Sequence, residues 1–254
     1  MEITINGIKT NYQIFGEGLP AQAGKPFLIL HGWGSSSERW QAVGEHLSQF
    51  GHMVIIPDLP GFGASDAPKV PWNLNKYVNW AEQFIKELNL NDFYLLGHSF
   101  GGALAFKIAV KHVQDIKKLF LISAACVRKK TPKKNIFTKI SKVVKIFYFF
   151  PYYNLFRKAV YKFIIRKSDY IYFEGIMKET YLNIVSEDLS LYLSFIKTPT
   201  VIIWGQEDEA TPLENGYFIA KQIKNSKIIV IPDAGHSLNK EQPLVLAEKI
   251  INNL

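Results

Sequence analysis

Phe93-Tyr-Leu-Leu-Gly-His-Ser-Phe-Gly-Gly102 is the stretch on which the reading of the fold turns. A short apolar run leads into Gly97-His98-Ser99-Phe100-Gly101, and a helical run from Ala103 to Val110 follows. This is G-x-S-x-G between a strand and a helix, a context that holds a serine on a tight turn and points it into a cleft rather than a core. Gly97 and Gly101 carry no Cβ, so strand and helix can approach closely around the turn. A helix N-terminus just behind Ser99 favours negative charge developing there. Taken alone, the pentapeptide also fits a plain glycine-rich turn, and the flanking segments decide between the two.

Working outward, Pro26-Phe-Leu-Ile-Leu-His31 and His52-Met-Val-Ile-Ile-Pro-Asp58 are continuous apolar runs, as in strands buried on both faces. A helix is predicted between them from about Glu38 to Phe50, with Trp40, Val43 and Leu47 at helical spacing. Another, from about Lys76 to Leu90, precedes the serine strand. Lys118–Ala125, Thr200–Gly205 and Lys227–Asp233 read as further strands, with helices from about Leu213 to Ile223 and Gln242 to Asn252. At the N-terminus, alternation around Asn6-Gly7 signals a hairpin. Strands alternating with helices predict an α/β fold with a mainly parallel sheet covered on both faces. In such sheets, sites gather at the C-terminal ends of the strands.

The 254 residues suffice for one such domain, and 48% hydrophobic composition provides a sizeable core. The single cysteine, Cys126, rules out an internal disulfide and fits a reducing compartment. The first residues show no basic segment followed by an apolar core, and no run of about 18 uncharged apolar residues occurs. The expectation is therefore no transmembrane helix and a cytoplasmic location. Net charge is +8, yet thirteen Lys or Arg and no Asp or Glu lie between Val127 and Lys167, leaving the rest of the chain net acidic.

A serine hydroxyl is a poor nucleophile unless a base takes its proton and a further group orients that base. His236, in Asp233-Ala-Gly-His-Ser237 past the last predicted strand, is the candidate base. Asp208, in Gly205-Gln-Glu-Asp-Glu209, is the candidate orienting acid, although spacing alone does not separate it from Glu207 and Glu209. Donors for an oxyanion are expected from the backbone N–H groups of Phe100 and Trp33, the latter in His31-Gly32-Trp33-Gly34. His31, Gly32, Gly34 and His98 are read as the supporting loop. No metal-ligand cluster is evident, and neither a metal nor an organic cofactor is expected.

These motifs together resemble the α/β-hydrolase fold superfamily over nearly the whole chain. The residues carrying the resemblance are His31-Gly-Trp-Gly34, Asp58-Leu-Pro-Gly-Phe-Gly-Ala-Ser65, Gly97-His-Ser-Phe-Gly-Gly102, Gly205-Gln-Glu-Asp208 and Gly235-His236. The resemblance implies a nucleophile, acid and base in the order Ser99, Asp208, His236. Serine rather than aspartate at 99 argues against the dehalogenase and epoxide hydrolase branches. The loop from His31 is not the His-Gly-Gly-Pro-Gly type of proline iminopeptidases. The run from His31 to Ser65 is similar to carboxylesterases such as the pimeloyl-acyl-carrier-protein methyl ester esterases. The implied activity is hydrolysis of small-molecule acyl esters. Thioester hydrolysis, C–C bond cleavage and slow-turnover ligand reception remain alternatives with the same triad.

The α/β pattern breaks from Cys126 to about Lys197, where this superfamily inserts a cap after the sixth strand. The expected division is a core of residues 1–125 and 198–254 with a helical cap of residues 126–197. Helical spacing runs through Ile136, Phe137, Ile140, Val143, Val144 and Phe147, then through Tyr152, Phe156, Ala159, Val160 and Phe163, and a third stretch spans roughly Ile171 to Ile184. Phe147, Phe150 and Tyr153 are the candidate substrate-pocket residues. The lysines between them read first as a solvated lid face. An anionic membrane surface or an acidic carrier protein are the sharper alternatives. No nucleic acid is expected, since no recognition motif accompanies the charge.

Overall fold

The alternating apolar residues of the predicted strands become the two faces of one sheet in the computed structural model, which describes residues 1–18, 24–111, 115–128 and 174–254. Among these residues the strands are β1 (Glu2–Ile5), β2 (Ile8–Phe15), β3 (Gly24–Leu30), β4 (His52–Pro57), β5 (Phe93–His98), β6 (Ile116–Ile122), β7 (Thr200–Gly205) and β8 (Ser226–Ile231). Their spatial order is β1-β2-β4-β3-β5-β6-β7-β8. The first two strands form the hairpin signalled by Asn6-Gly7, and β2 runs antiparallel to β4. The remaining neighbours are parallel.

Side chains alternate across the sheet, as strand geometry requires. Leu28, Leu30, Leu95, Leu119, Leu121, Ile202 and Trp204 face one core, which is shared with α2 (Leu74–Glu87), α3 (Phe100–Lys111) and α5 (Leu213–Gln222). Phe27, Ile29, Val54, Ile56, Leu96, Phe120 and Ile203 face the other, beneath α1 (Gln41–Gln49) and α7 (Pro243–Ile251). The result is the expected α/β-hydrolase architecture: a mainly parallel sheet between helical layers.

The helices differ from the sequence reading in three places. The helix expected from Glu38 splits into a 3-10 turn, Ser37–Trp40, followed by α1. The Asp58 carboxylate accepts the Ser37 N–H at 2.6 Å, and Trp40 is fully buried, so both ends of the first turn are pinned from outside the helix. α2 starts at Leu74 because the Asn73 side chain accepts the Lys76 N–H at 3.0 Å and so caps it. A short helix, α6 (Leu238–Glu241), precedes α7 and was not expected.

Between β6 and β7 lie α4 (Gly175–Ser186) and a 3-10 turn, Ser190–Phe195. α4 corresponds to the third helix expected in the insertion. It is tied to the loop before α2, since Thr180 Oγ1 accepts the Trp72 N–H at 3.0 Å and Asn183 Nδ2 donates to the Trp72 carbonyl at 3.2 Å. The helices expected over Ile136–Phe147 and Tyr152–Phe163 lie outside the described residues, as do Phe147, Phe150 and Tyr153. Among the described residues, no helix is long and apolar enough to cross a membrane.

The tightest packing surrounds the serine turn. A Cβ on Gly101 would sit 2.0 Å from the Leu30 carbonyl oxygen, and one on Gly97 would sit 2.2 Å from the Gly101 carbonyl oxygen. These neighbours are backbone and cannot rotate away. Gly101→Ala is therefore expected to cost about 1–3 kcal/mol or more, as overpacking does. Urea unfolding measures this, and a midpoint equal to that of the wild type would contradict the close approach.

Candidate active site

Ser99 sits between the end of β5 and the start of α3 with φ +52°, a left-handed conformation that serine rarely adopts. The surroundings hold it there. Its N–H donates to the Ile122 carbonyl at 3.0 Å, and its own carbonyl accepts from Gly102, Ala103 and Ala125. The turn places the side chain at the C-terminal edge of the sheet.

The loops after β7 and β8 meet beside it. Gln206 N–H donates to the Ile231 carbonyl at 2.9 Å and Glu207 N–H to the Ala234 carbonyl at 2.8 Å, so the two loops are stitched together. Asp208 Oδ2 lies 2.8 Å from His236 Nδ1. Asp208 Oδ1 accepts the N–H groups of Ala210 at 2.9 Å and Thr211 at 2.8 Å. Asp208 is buried while Glu207 and Glu209 are exposed, which separates three acids that spacing left equivalent. Burial works against the Asp208 charge, but the hydrogen bond and charge of His236 and the Thr211 donors outweigh it and hold the carboxyl below its usual range. A carboxylate at this distance fixes the proton on Nδ1, leaving Nε2 of His236 as the basic nitrogen.

His98, the residue before the serine, reaches across to the same loop. Its Nε2 lies 2.8 Å from the His236 carbonyl oxygen, and the two rings are 4.9 Å apart. The loop after β3 closes the other side. A Cβ on Gly32 would fall 3.3 Å from the Ser99 Cβ and 2.9 Å from His98 Nδ1, so the residue at 32 must be small. His31 braces this loop from within: the Leu59 N–H donates to its Nε2 at 3.0 Å, so Nδ1 carries the proton and donates to the Gly32 carbonyl at 2.8 Å. Gly34 turns the chain with φ +70°. The Trp33 ring packs on Phe62 at 4.7 Å, Phe100 at 5.5 Å and Tyr181 of α4 at 5.3 Å.

The structure thus brings together Ser99, Asp208, His236, His31, Gly32, Trp33, Gly34, His98 and Phe100. It also adds residues the sequence reading missed. Thr211 places its Oγ1 2.8 Å from Asp208 Oδ2 and 3.2 Å from His236 Nδ1. Its position three residues after Asp208, a local side-chain-to-backbone spacing, was the available signal. Phe62 and Tyr181 wall the space around Trp33, and Tyr181 had no signal beyond aromatic character. Glu241 accepts the N–H groups of Gly235 and Ser237 on either side of His236. Cys126 is no rival nucleophile, because burial pushes its thiol up to about 12. Among the described residues, no group of three or more His, Cys, Asp or Glu is placed to hold a metal ion.

Comparison with known proteins agrees with this fold. The family described as alpha/beta hydrolase fold matches residues 25–141 and 142–243. An uncharacterized protein of Mycobacterium tuberculosis is 34% identical over 126 residues, which is 50% of this chain and only 35% of that protein. A monoacylglycerol lipase of Bos taurus is 26% identical over 89% of this chain and 74% of its own length. Among solved structures, an esterase from Exiguobacterium antarcticum superposes with a TM-score of 0.76 at 22% identity, covering 99% of this chain and 97% of that one.

The buried histidines give the fold a definite acid sensitivity. Burial pushes His31 down to about 4 and His98 down to about 3. Below about pH 6.5 the unfolded chain takes up protons at these positions while the folded chain does not. Their contribution is therefore complete above that pH and declines as pH falls toward 4. The melting temperature is expected to drop between about pH 6.5 and 4.5, and to drop less steeply in His98→Gln. Identical slopes for the two proteins in thermal melts would contradict a neutral, buried His98.

Proposed function

Because the chain belongs to the alpha/beta hydrolase fold family, we propose that it is a serine hydrolase acting on carboxylic esters through Ser99, His236 and Asp208. The observation that carries the reading is the part-buried 2.8 Å contact between Asp208 Oδ2 and His236 Nδ1, on a loop that His98 ties to the serine turn. Ser99 Oγ attacks the ester carbonyl as His236 Nε2 takes its proton. The backbone N–H groups of Phe100 and Trp33 receive the oxyanion. His236 then returns the proton to the departing alcohol, leaving an acyl-serine. Water attacks the acyl carbonyl with the same base, releasing the acid and free Ser99. Asp208 keeps the Nδ1 proton in place and balances the imidazolium while it exists.

Residues 126–197 serve in this reading as the cap over the cleft. The aromatic wall of Trp33, Phe62, Phe100 and Tyr181 favours an apolar acyl group. The ester lipases and esterases among similar proteins support the same reaction class. The basic run from Val127 to Lys167 suits an anionic partner, either a membrane surface or an acidic carrier protein.

Hydrolysis of p-nitrophenyl esters of graded acyl length tests the proposal. Ser99→Ala and His236→Ala are expected to lose at least about 10³-fold in kcat while remaining folded. Full activity in Ser99→Ala would overturn the reading. Asp208→Asn is expected to lose about 10²–10⁴-fold and Glu207→Gln almost nothing, because only the former holds the imidazole tautomer. Equal losses in these two variants would remove Asp208 from its role.

A further inference from the structure

His236 sits on a surface loop, yet its main chain is fixed from two sides. From the core, the His98 ring meets its carbonyl oxygen at 2.8 Å. A carbonyl only accepts, so His98 Nε2 must carry the proton and donate. From the surface, the Glu241 carboxylate accepts the N–H groups of Gly235 and Ser237, the residues immediately before and after the base. Further support lies at the loop's ends. Gln242 Nε2 donates to the Pro232 carbonyl at 2.9 Å and the Asp233 carbonyl at 3.2 Å, while Asn239 Nδ2 donates to the Arg39 carbonyl at 2.8 Å. His98 itself cannot drift. Its backbone pairs with Ile122 in the β5–β6 ladder, its ring packs on Trp40 at 5.7 Å, and the residue that follows it is Ser99.

We propose that His98 and Glu241 are positioning residues that bracket the His236 main chain, His98 from within and Glu241 from outside, and so hold the base in register with Ser99. The proposal rests on the reading of Ser99, His236 and Asp208 as a triad. The hydrogen bond to Asp208 fixes the direction of the imidazole but not the position of the Cα that carries it. The bracket supplies that position, and it does so from the residue adjacent to the nucleophile. Any movement of the base loop therefore has to stretch a bond to the serine turn. Neither bracketing side chain needs to touch substrate.

The experiment measures the rate at which a fluorophosphonate labels Ser99, read by intact mass, alongside kcat and KM for an ester that the wild type turns over. Labelling reports nucleophile activation without requiring the natural substrate. His98→Leu removes the donor, and His98→Gln keeps an amide N–H able to reach the same carbonyl. A displacement of the base by about 1 Å costs on the order of 10²-fold. Labelling and kcat are thus expected to fall about 10- to 100-fold in His98→Leu with KM little changed, and to recover to within a few fold of wild type in His98→Gln. Glu241→Ala, on an exposed residue, is expected to slow labelling about 5- to 10-fold with an unchanged melting temperature. If His98→Leu does not fold, Glu241→Ala decides alone. Wild-type labelling rates in His98→Leu or Glu241→Ala, or no recovery in His98→Gln, would overturn the bracket while leaving the triad standing. A folded wild type that takes no label at Ser99 would overturn the triad reading, and the bracket with it.

Discussion

Everything at this site depends on how closely three pieces of backbone pass one another at the end of β5. The serine turn fits only because positions 97 and 101 lack side chains. With them bare, the first turn of α3 rests directly on the Leu30 and His31 carbonyls, and Ser99 is driven into a left-handed conformation. Such a conformation costs on the order of 1–3 kcal/mol and persists only where the surroundings over-determine it. Here they do so by hydrogen bonds to the end of β6, to the loop after it and within the first turn of α3. The strain belongs to the site, and the two apolar cores on either side of the sheet make it tolerable.

From that turn the remaining parts are reached by short polar links rather than by further packing. Gly32 lies against His98 and Ser99. His98 holds the His236 carbonyl, Asp208 holds the His236 ring, and Thr211 fills the corner between the two. Behind the β3 loop, Asp58 plays a comparable part. It is buried, and burial opposes its charge, yet donors from Ser37, Ala64 and Asn11 hold its carboxyl below the usual range. A buried carboxylate with that many donors stays ionised and locks the loops that supply them. The β3 loop, the Phe62 loop and the hairpin strand β2 are therefore tied to one carboxylate.

The sequence made the sheet and the serine turn legible because their signals are local. Apolar runs end in turns, G-x-S-x-G follows a strand, and Asn6-Gly7 marks a hairpin. The order Ser99, Asp208, His236 was implied by the resemblance, and each of the three lies beyond a strand end. What stayed hidden depended on long-range contact. Nothing in the spacing of Glu207, Asp208 and Glu209 shows that only the middle one turns inward, because that follows from the stitching of two loops by Gln206 and Glu207 backbone groups. Glu241 reads as one more acid at the start of a terminal helix until the fold sets it against Gly235 and Ser237. The splitting of the Glu38–Phe50 helix likewise comes from Asp58, twenty-one residues beyond Ser37 in the chain.

The electrostatics of the three histidines explain why so many imidazoles can share one small volume. His31 and His98 are fully enclosed, and burial holds both well below neutral pH, so each enters only as a neutral hydrogen-bonding group with a fixed tautomer. A charge on His98 would stand beside the His236 ring, 4.9 Å away, and oppose any positive charge there. Keeping His98 neutral removes that opposition while preserving its donor. Asp208 lies on the other side of His236 with its side chain wholly out of solvent, so one carboxylate faces one ring. In a site of low polarity a single opposed pair of charges is favourable, whereas a second cation would undo much of that advantage. Burial thus divides chemically identical side chains into two that are enclosed and hold the structure and one, His236, that stays partly exposed beside Asp208.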